Sequence, residues 1–459
     1  MSVVTVTMTE GSLGKKILLF SLPLMLSNVL QILFTMSDVA VVGRFAGALA
    51  LGAVGSTTTL VMLYTGFLIG VSMGVNVLVA RFCGARDERN TKETVHTSAI
   101  LCLLIGMAVM GIGEILTRPL LELLGTKPDL IDGAELYLRI YFLGMPALAV
   151  FNFGNAVLSA VGDTKRPLIY LSLSGVLNVL LNLLFVIILH MSVAGVALAS
   201  IIAQYLSALL IMIALFHAKG IHGMKANHLR IHGDKALKIL SLGIPAGCQN
   251  AIFHIANLFI QAGLNTFDTV TVTGSAAAAN ADGLVYDVMA AFYTACSSFM
   301  SQNYGAGKKE RVLKSYYISL AYAFAAGAIL GGLLVLFGRS FLSLFATEEA
   351  VIEAGMLRLT VMGLSYCVSA FMDATIAAAR GIGKSLWPTV MVIMGSCVFR
   401  VIWVYTIFAH FGTIQSLYLL YVFSWSITAL AEIAYFAHCY KKQMRLFDHT
   451  NPTTSLKET

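Results

Sequence analysis

Lys16 to Asn28 reads KILLFSLPLMLSN, and 222 residues later Lys238 to Asn250 reads KILSLGIPAGCQN. Lys-Ile-Leu, the proline and the asparagine recur in register, and each stretch opens a long apolar run behind basic residues. The correspondence continues along the chain. Gly84-Ala85 returns as Gly305-Ala306, each before a charged loop, Leu138-Arg139 as Leu357-Arg358, Gly162 as Gly381, and Pro167 as Pro388. Each match is short, but the common offset of 219 to 222 residues makes the chain two copies of one unit, and four of its eight prolines sit in matched pairs.

Each copy is made of apolar runs. Hydrophobic residues make up 58% of the 459 and charged residues 12%, about half of the roughly 25% that a water-facing surface demands. Breaking the runs at charged loops gives twelve spans, each near the roughly 20 apolar residues a bilayer requires. They cover about 17–42, 50–80, 95–117, 136–161, 167–189 and 193–216, then 239–264, 274–300, 315–337, 356–379, 387–409 and 415–439. Run length selects helices, because a membrane strand needs only about ten alternating residues.

Charge sets the orientation. With a cytoplasmic N-terminus and alternating sides, 23 of the 30 Lys and Arg fall inside, Arg380 among them, six fall outside, Arg358 among them, and Arg400 alone lies deep within a span. That bias fits twelve spans with both ends cytoplasmic. The net charge of +7 is therefore no sign of nucleic acid, since no basic run stands apart from the spans. The polar start, Met1 to Gly14, lacks the basic n-region of a cleaved signal. The seven cysteines form no CxxC pair and fall mostly in apolar runs, where they act as small hydrophobes.

The expected fold is an all-α polytopic membrane protein. Residues 1–216 form one six-helix bundle, 217–238 a cytoplasmic linker, 239–440 a second bundle and 441–459 a cytoplasmic tail. Because both copies start inside, the repeats are parallel, related by an axis along the membrane normal with a central cavity between them, which is a transporter architecture.

Polar groups inside spans point to function. In the first copy these are Asp38, roughly 30 Å along its helix by the rise per residue, Asn152 and Asn155 (i, i+3), Asn178 and Asn182 (i, i+4), and Ser200. Each Asn pair shares one helix face, so the set can form a wet pocket around a single carboxylate. Asn and Ser also bridge transmembrane helices at about 0.6 kcal/mol each, a purely structural alternative. Asp38 has no basic partner in its half, and a carboxyl that takes and releases a proton is what a proton-coupled antiporter needs. The second copy offers Asp287, Asp373, Arg400 and Glu432. A buried ion pair between Arg400 and one of the acids is the expectation there, leaving the other acid to bind a cation. Asp282 and Asn280 lie nearer the outer end, where solvation accounts for them. The 20 Met and 26 Phe suit a site for flat cations, Met by adapting its shape and rings by attracting positive charge. No GxxxxGK[ST], HExxH or GxSxG motif occurs. An ATP-driven pump or an enzyme is disfavoured, and an ion gradient is the energy source left.

These residues resemble the bacterial multidrug and toxic compound extrusion (MATE) family. The likeness covers nearly the whole chain and rests on Asp38-Val39-Ala40-Val41-Val42-Gly43-Arg44, Ala80 to Ala85, Gly162-Asp163-Thr164-Lys165, Gln302 to Gly307 and Arg380-Gly381-Ile382-Gly383-Lys384. It implies export of small organic cations or drugs across the plasma membrane in exchange for H+ or Na+, with no bound cofactor and a monomer as the working unit. It also implies a coupling site of Asp38, Asn152, Asn155, Asn178 and Ser200. Asn182 stands where one branch carries a second acid, which leaves the coupling ion open. Another branch has a helix-7 acid that is missing between Pro245 and Gln261, where Gln249, Asn250, His254 and Asn257 are the polar candidates for the substrate cavity, with Asp287, Asp373 and Arg400. A lipid-linked saccharide flippase of the same superfamily is the alternative. Arg400 as the one basic residue deep in a span argues against its anionic cargo.

Overall fold

The structure, a computed structural model, describes residues 7–450, with side chains through Arg445. Twelve helical segments follow one another, and no strand occurs among the described residues. They are α1 (Leu13–Ala46), α2 (Ala48–Gly84), α3 (Glu88–Leu123), α4 (Pro128–Phe142 and Met145–Ala160), α5 (Lys165–Ile188) and α6 (Ser192–Phe216). The second copy gives α7 (Gly233–Leu264), α8 (Thr269–Gly305), α9 (Lys309–Leu342), α10 (Glu349–Gly381), α11 (Leu386–Phe411) and α12 (Ile414–Arg445). Ten are long and apolar enough to cross a bilayer singly, and α4 becomes an eleventh span when its halves, bent by 48° at Leu143-Gly144, are joined.

The twelfth, α8, is 37 residues rich in Ala, Ser, Thr and Gly, and its stretch from Ala291 to Asn303 is almost wholly buried. Small side chains let a helix approach its neighbours closely; their low hydropathy follows from packing against protein instead of lipid.

Packing divides the chain into two compact units. Of the described residues, the first holds Leu26–Ala251, and the second holds Thr7–Met25 with those from Ile252 onward. The divisions fall inside α1 and α7, so each of these helices contributes to both units.

Within the first unit, α2 and α7 meet through two glycine pairs, Gly70/Gly74 and Gly243/Gly247. A Cβ on any of the four would overlap backbone of the facing helix. This is the small-xxx-small contact by which membrane helices associate when lipid gives no hydrophobic drive. The connection 217–238 is tied to α3, where His96 Nε2 accepts the Lys225 N–H at 3.0 Å and Thr97 Oγ1 accepts the His232 N–H at 3.1 Å. In the second unit, the segment before α1 is held by its carbonyls. Arg311 donates to Met8, Glu10 and Gly11, Asn303 to Met8 and Lys308 to Thr9, at 2.8 to 3.3 Å, with Met8 fully buried.

Candidate functional site

Asp38 owes its place to the packing of α1 on α5. Four residues before it on the same face, Phe34 lies against Gly175, where any Cβ would collide with the ring. The missing side chain lets α1 come close, and Asn178 and Asn182, three and seven residues beyond Gly175, then face the carboxylate. Asn182 Nδ2 donates to Asp38 Oδ1 at 2.5 Å and Ser200 Oγ to Asp38 Oδ2 at 3.3 Å. Asn178 Nδ2 donates to Ser200 Oγ at 3.4 Å, and Asn182 Nδ2 also reaches Asn178 Oδ1 at 3.3 Å. Asn182 is fully buried, and Asn178 and Ser200 nearly so. Among the described residues no cation lies within ion-pair distance of Asp38, so every donor to it is neutral.

Two helix irregularities frame the cluster. π turns run over Val42–Ala46, four residues past Asp38, and over Leu183–Ile188, directly after Asn182. Such turns re-aim side chains and occur often at functional sites. Neither was legible in the sequence.

The arrangement can bind a proton or a small cation. Asn182 Nδ2 can only donate, but a hydroxyl both donates and accepts. A proton on Asp38 is therefore accommodated at Oδ2, with Ser200 reversing to accept. Asn182 Oδ1 is buried without a donor, leaving a free carbonyl oxygen beside the carboxylate, the ligand type a hard cation takes. No group of three His, Cys, Asp or Glu able to hold a metal occurs among the described residues.

Asn152 and Asn155 stand apart from this network. Asn155 Oδ1 accepts from Ser159 at 3.3 Å and Asn152 Nδ2 is buried without a partner; neither is hydrogen-bonded to Asp38. Tyr137 and Tyr141, stacked one helical turn apart on α4 at 5.8 Å, do lie in the electrostatic reach of Asp38, and nothing in the sequence singled them out. Gln249 is buried, and Asn250 donates to the Gly66 carbonyl at 3.0 Å; both are in the first unit.

In the second unit the expected ion pair is absent. Arg400, 1% exposed, contacts neither Asp373 nor Glu432 within ion-pair distance among the described residues. Nε donates to Ser424 at 3.2 Å and Nη1 to Asn257 at 3.3 Å, while the guanidinium lies 4.9 Å from the Phe253 ring centre and 4.8 Å from that of Tyr421. Aromatic faces stand where a carboxylate at contact distance was expected; Asp373, 27 positions earlier on α10, lies within electrostatic reach of both Arg400 and Arg380, and Glu432 within that of Arg380 and Asp373. Arg380 reads in the sequence as an inside loop charge, yet it is 6% exposed in the last turn of α10. Its spacing of seven from Asp373 puts both on one helix face, a signal the sequence did offer. Glu432 is fully buried with neither carboxylate oxygen hydrogen-bonded. Asp287 is half-buried on α8.

Asp282 is a second correction. It is not a solvated outer acid, because Arg358, near the outer end of its span, pairs with it at 2.7 Å and donates also to Ser275 at 2.9 Å. The Tyr366 hydroxyl donates to the same carboxylate. A concavity of about 430 Å³ at the start of α8 and the α9–α10 turn is lined by Thr269, Thr273, Ser343, Thr347 and Glu348 and includes none of the candidate residues.

Comparison with known proteins matches the MatE family twice, over residues 23–184 and 245–406, two stretches 222 residues apart. A probable multidrug resistance protein of Bacillus subtilis, YpnP, is 29% identical over 76% of this chain and 78% of its own length. A Shewanella oneidensis protein named as an FAD transporter is 25% identical over 78% and 80%. A solved transporter of the MOP superfamily from Pyrococcus furiosus shares the fold, with a TM-score of 0.90 at 22% identity over 97% of this chain and 99% of the other.

Proposed function

This chain belongs to the MatE family, the multidrug and toxic compound extrusion transporters, and from that premise we propose that it exchanges organic cations or drugs for H+ or Na+ by alternating access. The relatives named as multidrug resistance proteins support efflux as the direction. The inside excess of Lys and Arg supports a plasma membrane orientation with cytoplasmic termini. A single chain, carrying both copies of the repeat, is the proposed working unit.

One observation carries the coupling. Asp38 is held by Asn182 and Ser200, neutral donors only, so nothing but an incoming proton or cation can cancel its charge. In an apolar span that cancellation is worth far more than in water. Occupied by one ion the cluster is neutral, and released of it the cluster carries a charge that a cationic substrate can match. Exchange follows when the two occupants exclude each other.

The test is ethidium flux in proteoliposomes, wild type against Asp38→Asn, under an imposed pH gradient and separately under a sodium gradient. Flux driven by one gradient and lost in the variant establishes the antiporter and names its ion. Full flux retained by the variant removes Asp38 from the mechanism. No flux under either gradient, from folded protein, moves the reading to a lipid-linked saccharide flippase.

A further inference from the structure

Arg400 has no carboxylate within ion-pair distance among the described residues, although Asp373 lies within its electrostatic reach. Of its five N–H donors, those on Nε and Nη1 meet neutral oxygens of Ser424 and Asn257, and Nη2 is buried without any acceptor. Its flanks are rings, Phe253 and Tyr421, which attract a cation but carry no net charge. Tyr421 also lies 6.0 Å from the guanidinium of Arg358, whose charge Asp282 already matches. Two arginines thus converge on one ring, and only Arg358 has a carboxylate at contact distance. Buried polar groups almost always find a partner, so an orphaned cationic donor marks the place of an acceptor that the chain does not supply.

The way in is polar. Asn257, which covers Nη1, is exposed, although it lies within the apolar length of α7; an amide at that depth faces water and not lipid. The surroundings are aromatic, with the Trp425 ring 5.6 Å from that of Tyr421 and tilted to it by 53°. From this geometry we propose that the second unit holds an anion-binding subsite at Arg400. It takes the carboxylate or phosphate of a flat aromatic solute, with the guanidinium pairing to the anion and Tyr421 stacking on the ring. The inference assumes the transport role proposed above but is measured by binding alone, so the two fail separately.

Binding to purified protein is followed by quenching of ligand fluorescence. Flavin mononucleotide and riboflavin differ by one phosphate, norfloxacin supplies a carboxylate, and ethidium serves as the cation. Wild type should bind the mononucleotide at least tenfold more tightly than riboflavin. Arg400→Gln should erase that difference and weaken norfloxacin far more than it changes ethidium. Arg400→Lys keeps the charge without the planar fork and should retain a reduced phosphate preference. Its result decides the matter if the glutamine variant does not yield folded protein. Equal affinity of wild type for mononucleotide and riboflavin overturns the proposal, as does a phosphate preference that survives Arg400→Gln. A preference for mononucleotide over riboflavin with no binding of norfloxacin confines the subsite to phosphates.

Discussion

The polar cluster of the first unit and that of the second carry opposite imbalances. Around Asp38 there is one carboxylate and no base, only amides and a hydroxyl. Around Tyr421 there are two guanidinium groups and one carboxylate, Asp282, already paired with Arg358. The halves share prolines, glycines and helix order, and even a π turn at the same place in the repeat, Leu183–Ile188 in α5 and Val404–Phe408 in α11. Duplication preserved what shapes the helices and left the charges free to diverge. The presence or absence of an opposite charge is what separates the two acids, Asp282 with Arg358 beside it and Asp38 with neutral donors.

Substitutions that treat the two acids alike should break them in different ways. The largest effect is on transport. Asp38→Asn should abolish gradient-driven flux in proteoliposomes yet change stability by less than about 1 kcal/mol, since the amide keeps neutral partners. A large loss of thermal stability would make Asp38 a structural residue like its counterpart. Asp282→Asn should do the reverse. It strands the largely buried Arg358 and should cost about 3–5 kcal/mol, visible as a lowered Tm in detergent. An unchanged Tm would mean that the pair is not what organises that unit.

Smaller effects sharpen the picture. Gly175→Val should force Phe34 off α5, costing about 1–3 kcal/mol for overpacking and weakening flux by moving Asp38 away from Asn182. Flux equal to wild type would show that the approach of α1 does not set the site. Asp87→Ala is the control away from both clusters. Asp87 caps α3, its carboxylate accepting from the Asn90 backbone and side chain, and these bonds hold its pKa below the ordinary value. The folded protein therefore favours the ionised cap. Its contribution, about 1 kcal/mol, is present at neutral pH and fades as pH falls below the usual Asp value of about 3.9. A Tm difference between wild type and this variant should shrink over that range, with flux untouched.

Much of the site was legible. Asp38, Asn178, Asn182 and Ser200 stood out as polar residues in apolar runs, and helix periodicity already placed the two asparagines on one face. Tyr137 and Tyr141 were invisible because an aromatic in a membrane helix is ordinary. Arg358 and Arg380 were misread because a charge near a span boundary looks the same whether it turns to water or to a neighbouring helix. Arg400 was correctly seen as buried, but its partner could not be guessed, since rings and carboxylates both stabilise a guanidinium.

The sequence by itself determined the helical class, the twelve spans, the duplication and the family, because each of these is written in local composition and in repetition along one dimension. Only the tertiary structure decided which charges meet. It drew the divisions between the two packed units inside α1 and α7 instead of in the connection between the copies. It left Asp38 with neutral donors, gave Asp282 to Arg358, and enclosed Arg400 between Phe253 and Tyr421. Partner choice depends on rotation and separation of whole helices, set by contacts such as Phe34 on Gly175, and an electrostatic energy that varies with distance and burial cannot be read until those are fixed.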